Sequence, residues 1–512
     1  MKKTPSFRSL FLVTAILTIA FSHPVFASEE ALLELLVKKK LITPQDAAAV
    51  RAELKTEKKT SAGATASSSA PASAEVPVTK TAAEKWKLST PITELELYGD
   101  ARMRYEIRNG ETASNDTLQR NRERYRLRLG LRGTLTDDWF FGVRLETSQS
   151  ARSTNVTIAD DTSSSSGGGG GPFAKGSDGI NVGQAYFGYK GFPDVTLTAG
   201  RMPNPLITTI MIWDQDINPE GLAEQWKHTF TVALGGDEAE EPASYTKDGT
   251  PLPSSKGKAS SSKLKIDVFA NFAQFVYDDT NPENPLGPSP SKIPRTDSFM
   301  LAWQVGAKFT FPNTLYAQVA PVLYNYTGNG DTFNSFFQGG DPNLSNTASL
   351  AQNQTGINSL LVFDLPVEVG WKLGELPMRL FADFAVNLEA DDRATAAGHP
   401  GKGDQRYAYQ MGGAIGQLKK KGDWQLSVFW QRQDQYSLDP NLVDTEFWDS
   451  KLNLQGVGVT FGYMLSDAVW VYFLYGYAEQ ADSSLGTAGF GDIGINPVKN
   501  FQLFQADLNV KF

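Results

Sequence analysis

Residues 504–512 read Phe-Gln-Ala-Asp-Leu-Asn-Val-Lys-Phe, apolar at every even position and polar at every odd one, ending on an aromatic. Period-two alternation makes a strand with two unlike faces. The same pattern recurs along nearly the whole chain from residue 95, so the constraint is global: alternate side chains must meet opposite media.

A soluble sandwich would also alternate, but its polar faces would meet bulk water and mix their charges. Here residues 122–135 place Arg122, Arg124, Arg126, Arg128 and Arg132 on one face and Tyr125, Leu127, Leu129, Leu131 and Leu135 on the other. Five arginines on one strand face require a wet, partly acidic surrounding, which a pore lumen supplies. Residues 95–108 behave alike, with Arg102 and Arg104 on the polar face. The expected fold is all-β, a transmembrane antiparallel β-barrel of about sixteen strands over 95–512. Phe512 is the expected assembly signal, to be read by the barrel assembly machinery.

Expected strands fall at 95–108, 122–135, 139–149, 182–189, 195–201, 222–234, 264–275, 299–309, 314–326, 360–373, 378–388, 407–416, 424–431, 454–463, 469–477 and 501–512. Their connections alternate in length, with short ones such as 136–138, 311–313 and 465–467 and long ones such as 109–119, 202–221 and 434–453. Short turns belong to the periplasmic side and long loops outside. The connection 235–263 breaks the rule, being long where a short turn is due; it is either a periplasmic insertion or a miscounted strand. Trp139, Phe141, Phe187, Tyr189, Phe309, Phe311, Trp371, Trp424 and Tyr463 gather beside the short turns, as a headgroup-level girdle would.

The N-terminus reads as a signal peptide, residues 1–27. Lys2, Lys3 and Arg8 precede an apolar run at 10–21, and Val25-Phe26-Ala27 offers a cleavage site. The run is shorter than the roughly 20 residues a spanning helix needs. Residues 28–55 carry helical signals, including Thr43-Pro44-Gln45-Asp46 at a helix start, and are expected in the periplasm as a tether, an oligomerisation element or a solvated spacer. Residues 56–94 form an Ala/Ser/Thr/Lys/Pro-rich flexible linker. Loss of the leader leaves 45 basic against 57 acidic residues, a net charge near −12 that speaks against a nucleic-acid partner. No cysteine is present, so neither disulfides nor thiolate metal sites arise. The expected location is the Gram-negative outer membrane, among its lipids and lipopolysaccharide.

Function in such a cylinder would rest on charge at its narrowest point. The expected basic side is Arg102, Arg104, Arg122, Arg124, Arg126, Arg128, Arg132 and Arg144. The loop after Arg201 is apolar for a loop (Leu206, Ile207, Ile210, Met211, Ile212), so it is expected to fold into the barrel, where Asp214, Asp216 and Glu220 would face the arginines. Enzymatic readings are thin. His228 and His399 have no sequence partner that would build a triad, and Gly167–Gly171 lacks the Lys-Ser/Thr of a phosphate cradle. The acid pairs at 160–161, 278–279 and 391–392 read as solvated loop charge, or as bridges to lipopolysaccharide through divalent cations. No catalytic residue, metal or cofactor is assigned.

The segments Gly200-Arg201-Met202-Pro203-Asn204-Pro205, Trp213-Asp214-Gln215-Asp216 through Gly221, Leu380-Phe381-Ala382-Asp383-Phe384-Ala385-Val386-Asn387 and Asp444-Thr445-Glu446-Phe447 give the barrel region a likeness to a known family. It resembles the putative porin family of Gram-negative outer membranes, with which the helical preface is also consistent. The resemblance implies a sixteen-stranded channel, with a homotrimer by analogy. The expected function is a water-filled channel for passive diffusion of small hydrophilic solutes and ions. Two alternatives stand beside it: a structural barrel that tethers the membrane, and an oxyanion-selective channel.

Overall fold

The structure, a computed structural model, describes residues 89–148, 153–158, 179–234, 262–278, 298–327, 357–489 and 491–512. The chain divides into two units, Met1–Lys87 and Leu88–Phe512, and all described residues belong to the second. The leader, the helical segment 28–55, most of the linker, the glycine run 167–171 and nearly all of 235–263 lie outside the described residues.

One closed antiparallel sheet makes up the second unit. Its strands are β1 (Ile92–Thr112), β2 (Thr117–Leu135), β3 (Trp139–Ser148), β4 (Gly179–Tyr189), β5 (Val195–Arg201), β6 (Glu220–Leu234), β7 (Ser262–Asp278) and β8 (Ser298–Thr310). Next come β9 (Tyr316–Val319 with Val322–Thr327) and β10 (Leu361–Asp364 with Val367–Leu373), each broken where Pro321 or Pro366 removes an amide donor. The wall is completed by β11 (Leu376–Asn387), β12 (Tyr407–Gly416), β13 (Trp424–Gln433), β14 (Leu454–Met464), β15 (Val469–Gln480) and β16 (Val498–Lys511). A two-residue strip, Val156–Thr157, lies against β2 beyond the end of β3. Counted this way, the described residues form a barrel of 16 strands. One short helix, α1 (Ala390–Ala396), sits in the connection between β11 and β12.

Closure is made by β1 and β16, in register from Asp100↔Lys511 to Glu111↔Asn500 before a shift at Thr112. Phe512 extends the seam: its amide donates to Gly99 O at 3.0 Å and its carbonyl accepts from Gly99 N at 2.9 Å. Gly99 is required there, since a β-carbon would lie 2.6 Å from the Phe512 ring and 2.5 Å from Arg128 O.

Two boundaries differ from expectation. β1 starts at Ile92, so the last residues of the 56–94 linker already pair with β2. Most of the connection 109–119 is strand, because β1 and β2 stay in register as far as Glu111↔Thr117.

Along β1 and β2, Met103, Leu127, Leu129 and Leu131 stand exposed on the outer face while Arg104, Glu106, Arg108, Arg122, Arg124 and Arg126 are buried inside. This inverts a soluble protein, and it is the pattern a lipid-facing barrel requires. At the short-turn end the Trp139 ring lies 5.0 Å from Tyr189 and 6.4 Å from Phe187. No described helix is long and apolar enough to cross a membrane.

The inward face is not uniformly polar. Near the long-loop end, Phe429, Leu454, Leu474, Phe501 and Leu503 point inward and are buried with Phe447, Trp448, Ile493 and Ile495 from two long connections. Those connections therefore turn into the barrel, and the inward apolar residues give them a surface to pack on.

Candidate functional site

The loop 202–219, between β5 and β6, crosses the interior. Its base is set by two facing glycines, Gly200 and Gly221, with φ of +115° and +146°. A β-carbon at Gly200 would lie 2.3 Å from Ala185 O, and one at Gly221 would lie 2.1 Å from Gln274 O. Met202 N donates to Pro219 O at 2.9 Å and closes the neck. Beyond the neck, Leu206, Met211, Ile212 and Trp213 bury against inward residues of β7 to β10, among them Phe275, Met300, Tyr324 and Val362. Each such side chain contributes roughly 1.5–3 kcal/mol. Polar groups of the wall complete the attachment. Gln304 accepts from Ile207 N at 2.9 Å and donates to Ile207 O at 2.8 Å, Gln433 donates to Met211 O at 2.9 Å, and Thr209 donates to Asp383.

A second loop, 434–453, locks onto the first. Asp214 N donates to Leu442 O at 2.6 Å, and the Asp214 carboxylate accepts from Thr445 N at 3.0 Å. The loop 481–497 joins this layer through Asp449, which accepts from Asp492 N at 2.8 Å, Ile493 N at 3.0 Å and Arg108 at 2.6 Å. Arg108 and Arg122 hold Glu106, and Arg122 reaches Asp492 at 2.7 Å.

Beside this layer lies a cavity of about 600 Å³, bounded by β1, β2 and β16 on one side and reaching β10 to β15 on the other. Arg102, Arg104, Arg126, Arg128 and Arg379 line it, with Asp214, Asp216, Glu368, Asp444, Glu446 and Asp507. Arg104 makes a bidentate pair with Asp507, both bonds 2.8 Å, and also donates to Glu446. Arg102 stands 3.5 Å from Asp507 and 3.9 Å from Glu446. Asp100 takes Arg126 at 2.8 Å and Arg128 at 2.7 Å. Asp216 projects from the loop to within 3.5 Å of Arg126 and 3.6 Å of Arg128.

The loop acids differ in charge state. Burial pushes the Asp214 carboxyl up to about 7, assisted by the charge of Asp216. Burial raises Asp444 too, reinforced by Asp214 and Glu446. Burial acts in the same sense on Asp216, but Arg126, Arg102 and Arg128 outweigh it and hold that carboxyl below the usual range. At Glu446 burial is likewise overcome, by Arg104 and Arg102. Asp216 and Glu446 are therefore the ionised acids facing the arginines, while Asp214 and Asp444 sit behind them at the junction of the two loops.

Of the residues expected at the constriction, Arg102, Arg104, Arg126, Arg128, Asp214 and Asp216 come together around the cavity. The others stand elsewhere. Arg122 belongs to the Glu106–Asp492 network, and Arg124 donates to Ser153 at 3.1 Å and Asn155 O at 2.9 Å. Arg132 pairs with Glu96 near the short-turn end, and Arg144 pairs with Glu146 on the same strand. Glu220 meets Arg201 at 2.7 Å, at the foot of the loop, and does not face the ladder. The reason is depth. Parity places a side chain inside but not at a level, and β2 from Arg122 to Arg132 spans roughly 34 Å. The expectation for these residues needs that correction.

Glu446, Asp444, Asp507 and Asp100 are cavity or ladder acids not singled out from the sequence. Asp507 and Asp100 carry inward parity, which was a usable signal. Glu446 lies in a loop whose inward fold had no local mark beyond the Asp444–Phe447 segment.

Among the described residues no group of three or more His, Cys, Asp or Glu could hold a metal ion. His228 pairs with Asp194 at 2.7 Å on the barrel exterior at the short-turn end, and His399 contacts Tyr436 at 2.9 Å.

The profile of the family described as putative porin matches residues 92–369. No curated protein matches the chain in sequence. Among solved structures, a triple mutant of Rh. blastica porin is similar at 12% identity and TM-score 0.35, covering 82% of this chain and 100% of its own. Salmonella typhi OmpF in complex with daunomycin is similar at 8% identity and TM-score 0.38, covering 82% and 97%.

Proposed function

This chain belongs to the putative porin family, and from that membership we propose that it forms a water-filled channel in the bacterial outer membrane through which small hydrophilic solutes and ions diffuse passively. The observation that carries the reading is the polar cavity at mid-wall, enclosed between an arginine face and two carboxylate-bearing loops. A cylinder with an apolar exterior and charges turned inward has a hydrated path as its use. Five arginines face the carboxylates of Asp216, Glu368, Glu446 and Asp507 around the cavity, with Asp214 and Asp444 held toward the neutral form by burial, a nearly balanced lining that supports weak ion preference.

The alternative of an oxyanion-selective channel is less well supported, because Arg102, Arg104, Arg126 and Arg128 each already face a carboxylate. The assembly we propose is a homotrimer embedded among outer-membrane lipids and lipopolysaccharide and inserted by the barrel assembly machinery. Its N-terminal segment is proposed to lie in the periplasm, since β1 starts at the short-turn end.

Planar-bilayer recording of the purified full chain tests the function. Ohmic steps whose conductance rises with bulk salt, without saturation, support diffusion. A protein that inserts but passes no current would overturn it in favour of a structural barrel, and block by a single solute class would favour a selective channel.

A further inference from the structure

Behind the loop 202–219, on the wall opposite the arginines, β10 and β11 bring two buried carboxyl groups together. Asp364 is fully buried and Asp383 nearly so. Asp364 pairs in register with Ala385, so Asp383, two residues along β11, is its neighbour on the same inward face. Asp383 Oδ2 accepts the Thr209 hydroxyl of the loop. The other three oxygens, Asp364 Oδ1 and Oδ2 and Asp383 Oδ1, have no donor. The Leu365 amide beside Asp364 already donates to Phe384 O at 2.9 Å. No arginine or lysine pairs with either acid among the described residues. From β9, Tyr324 stands two residues from Val322, which faces Asp364 in register, so its buried phenol shares the same inward face, and its hydroxyl also lacks a partner.

Buried polar atoms in native proteins are satisfied, and buried charges are paired or bind metals. Four unpartnered oxygens on one inward patch of three neighbouring strands ask for a donor of charge that the described residues do not supply. A single shared proton would satisfy one oxygen of each carboxyl and leave the second Asp364 oxygen and the Tyr324 hydroxyl alone. A cation can meet all four, and two positive charges would neutralise the pair. An all-oxygen donor set suits a hard ion.

We propose that Asp364, Asp383 and Tyr324 form a site for a hard divalent cation of the Ca2+ class that ties β9, β10 and β11 to the loop 202–219. Such an ion takes roughly 6–8 oxygens, so water completes its shell. The access route is short, because Thr209 and Pro366, which border the acids, also line the central cavity. The site stands whether or not the cavity conducts. Through Thr209 it sets the position of the loop.

The test uses full-length protein in detergent, stripped with a chelator and titrated with Tb3+, whose emission Tyr324 can sensitise. Ca2+ is then added as competitor, and folding is monitored by heat-modifiable electrophoretic mobility. The expected result is a saturable emission component displaced by Ca2+, absent in the Asp364→Asn/Asp383→Asn double variant. Tyr324→Phe, which keeps both carboxylates but removes the sensitiser, is read by calorimetric titration with Ca2+ and should bind a few-fold more weakly than wild type in the same assay. If the double variant does not fold, Asp364→Asn alone should weaken binding by about tenfold or more through loss of ligand charge. Equal binding by wild type and folded variants would place the ion on surface acids and overturn the proposal. Absence of a saturable, Ca2+-displaced component would overturn it in favour of a shared proton.

Discussion

Arg104 and Asp507 face each other across the seam between the first and last strands, joined by two parallel hydrogen bonds of 2.8 Å. Both side chains are 2% exposed, so neither can fall back on water if its partner is removed. Breaking such a pair costs about 3–5 kcal/mol. Arg104 also serves Glu446, so Arg104→Ala strands two carboxylates, whereas Asp507→Asn leaves the arginine one anion. Thermal unfolding in detergent should fall in both variants, and further in Arg104→Ala. An unchanged melting point in Arg104→Ala would show that the seam does not depend on the pair.

Selectivity should follow the ionised acids. Asp216→Asn and Glu446→Gln each remove a negative charge facing the arginines, and should shift reversal potentials in a salt gradient toward anions by roughly a few-fold in permeability ratio. Arg126→Gln with Arg128→Gln should shift them toward cations. Both shifts should shrink in molar salt, where the screening length falls to about 3 Å. Glu220→Gln, at the foot of the loop, should leave selectivity as it is.

Asp214 supplies a pH dependence whose sign can be stated. Its carboxyl rises from 3.8 to about 7 on folding, chiefly through burial. Between those values the folded chain holds a proton that the unfolded chain has released, so this group's contribution to stability is full below pH 3.8 and is lost as pH rises to about 7. Asp214→Asn should therefore raise the melting temperature at pH 8 relative to pH 5 when compared with wild type. Proton uptake by Asp214 as pH falls from about 8 to 6 should also move wild-type selectivity toward anions. A wild-type selectivity flat over that interval would refute the assignment.

The neck of the loop 202–219 should tolerate no side chain. Gly221→Ala drives a β-carbon to 2.1 Å from Gln274 O in a backbone conformation that L-residues avoid. A strained position of this kind costs about 1–3 kcal/mol. The expected readouts are faster proteolysis within the loop and noisier current. Gly374→Ala, at a turn with φ of +62° and open space around it, should cost only about 1 kcal/mol and change neither readout.

Much of the wall was legible in the sequence because period two is a local property. The sixteen strands, the inward parity of Arg102 through Arg128 and the inward course of the loop 202–219 all follow from residues a few positions apart. The apolar texture of Leu206, Ile207, Ile210, Met211 and Ile212 was the mark of that loop. Depth was not legible, since Arg122, Arg126 and Arg132 look alike in sequence and stand at three levels. The involvement of Glu446 was hidden for another reason. It depends on Phe429, Leu454, Phe501 and Leu503, inward residues that are apolar where a lumen should be polar. Read as exceptions to alternation rather than noise, they would have pointed to loops packed inside the mouth.

The loop 202–219 is glued to the barrel by one flank and carries Asp216 on the other. Anchorage and chemistry thus reside on separate side chains. A lineage could exchange Asp216 or Glu446 for neutral or basic residues, and so switch its diet of solutes, without renegotiating the dry joint that Met211, Ile212 and Trp213 make with β7 to β10.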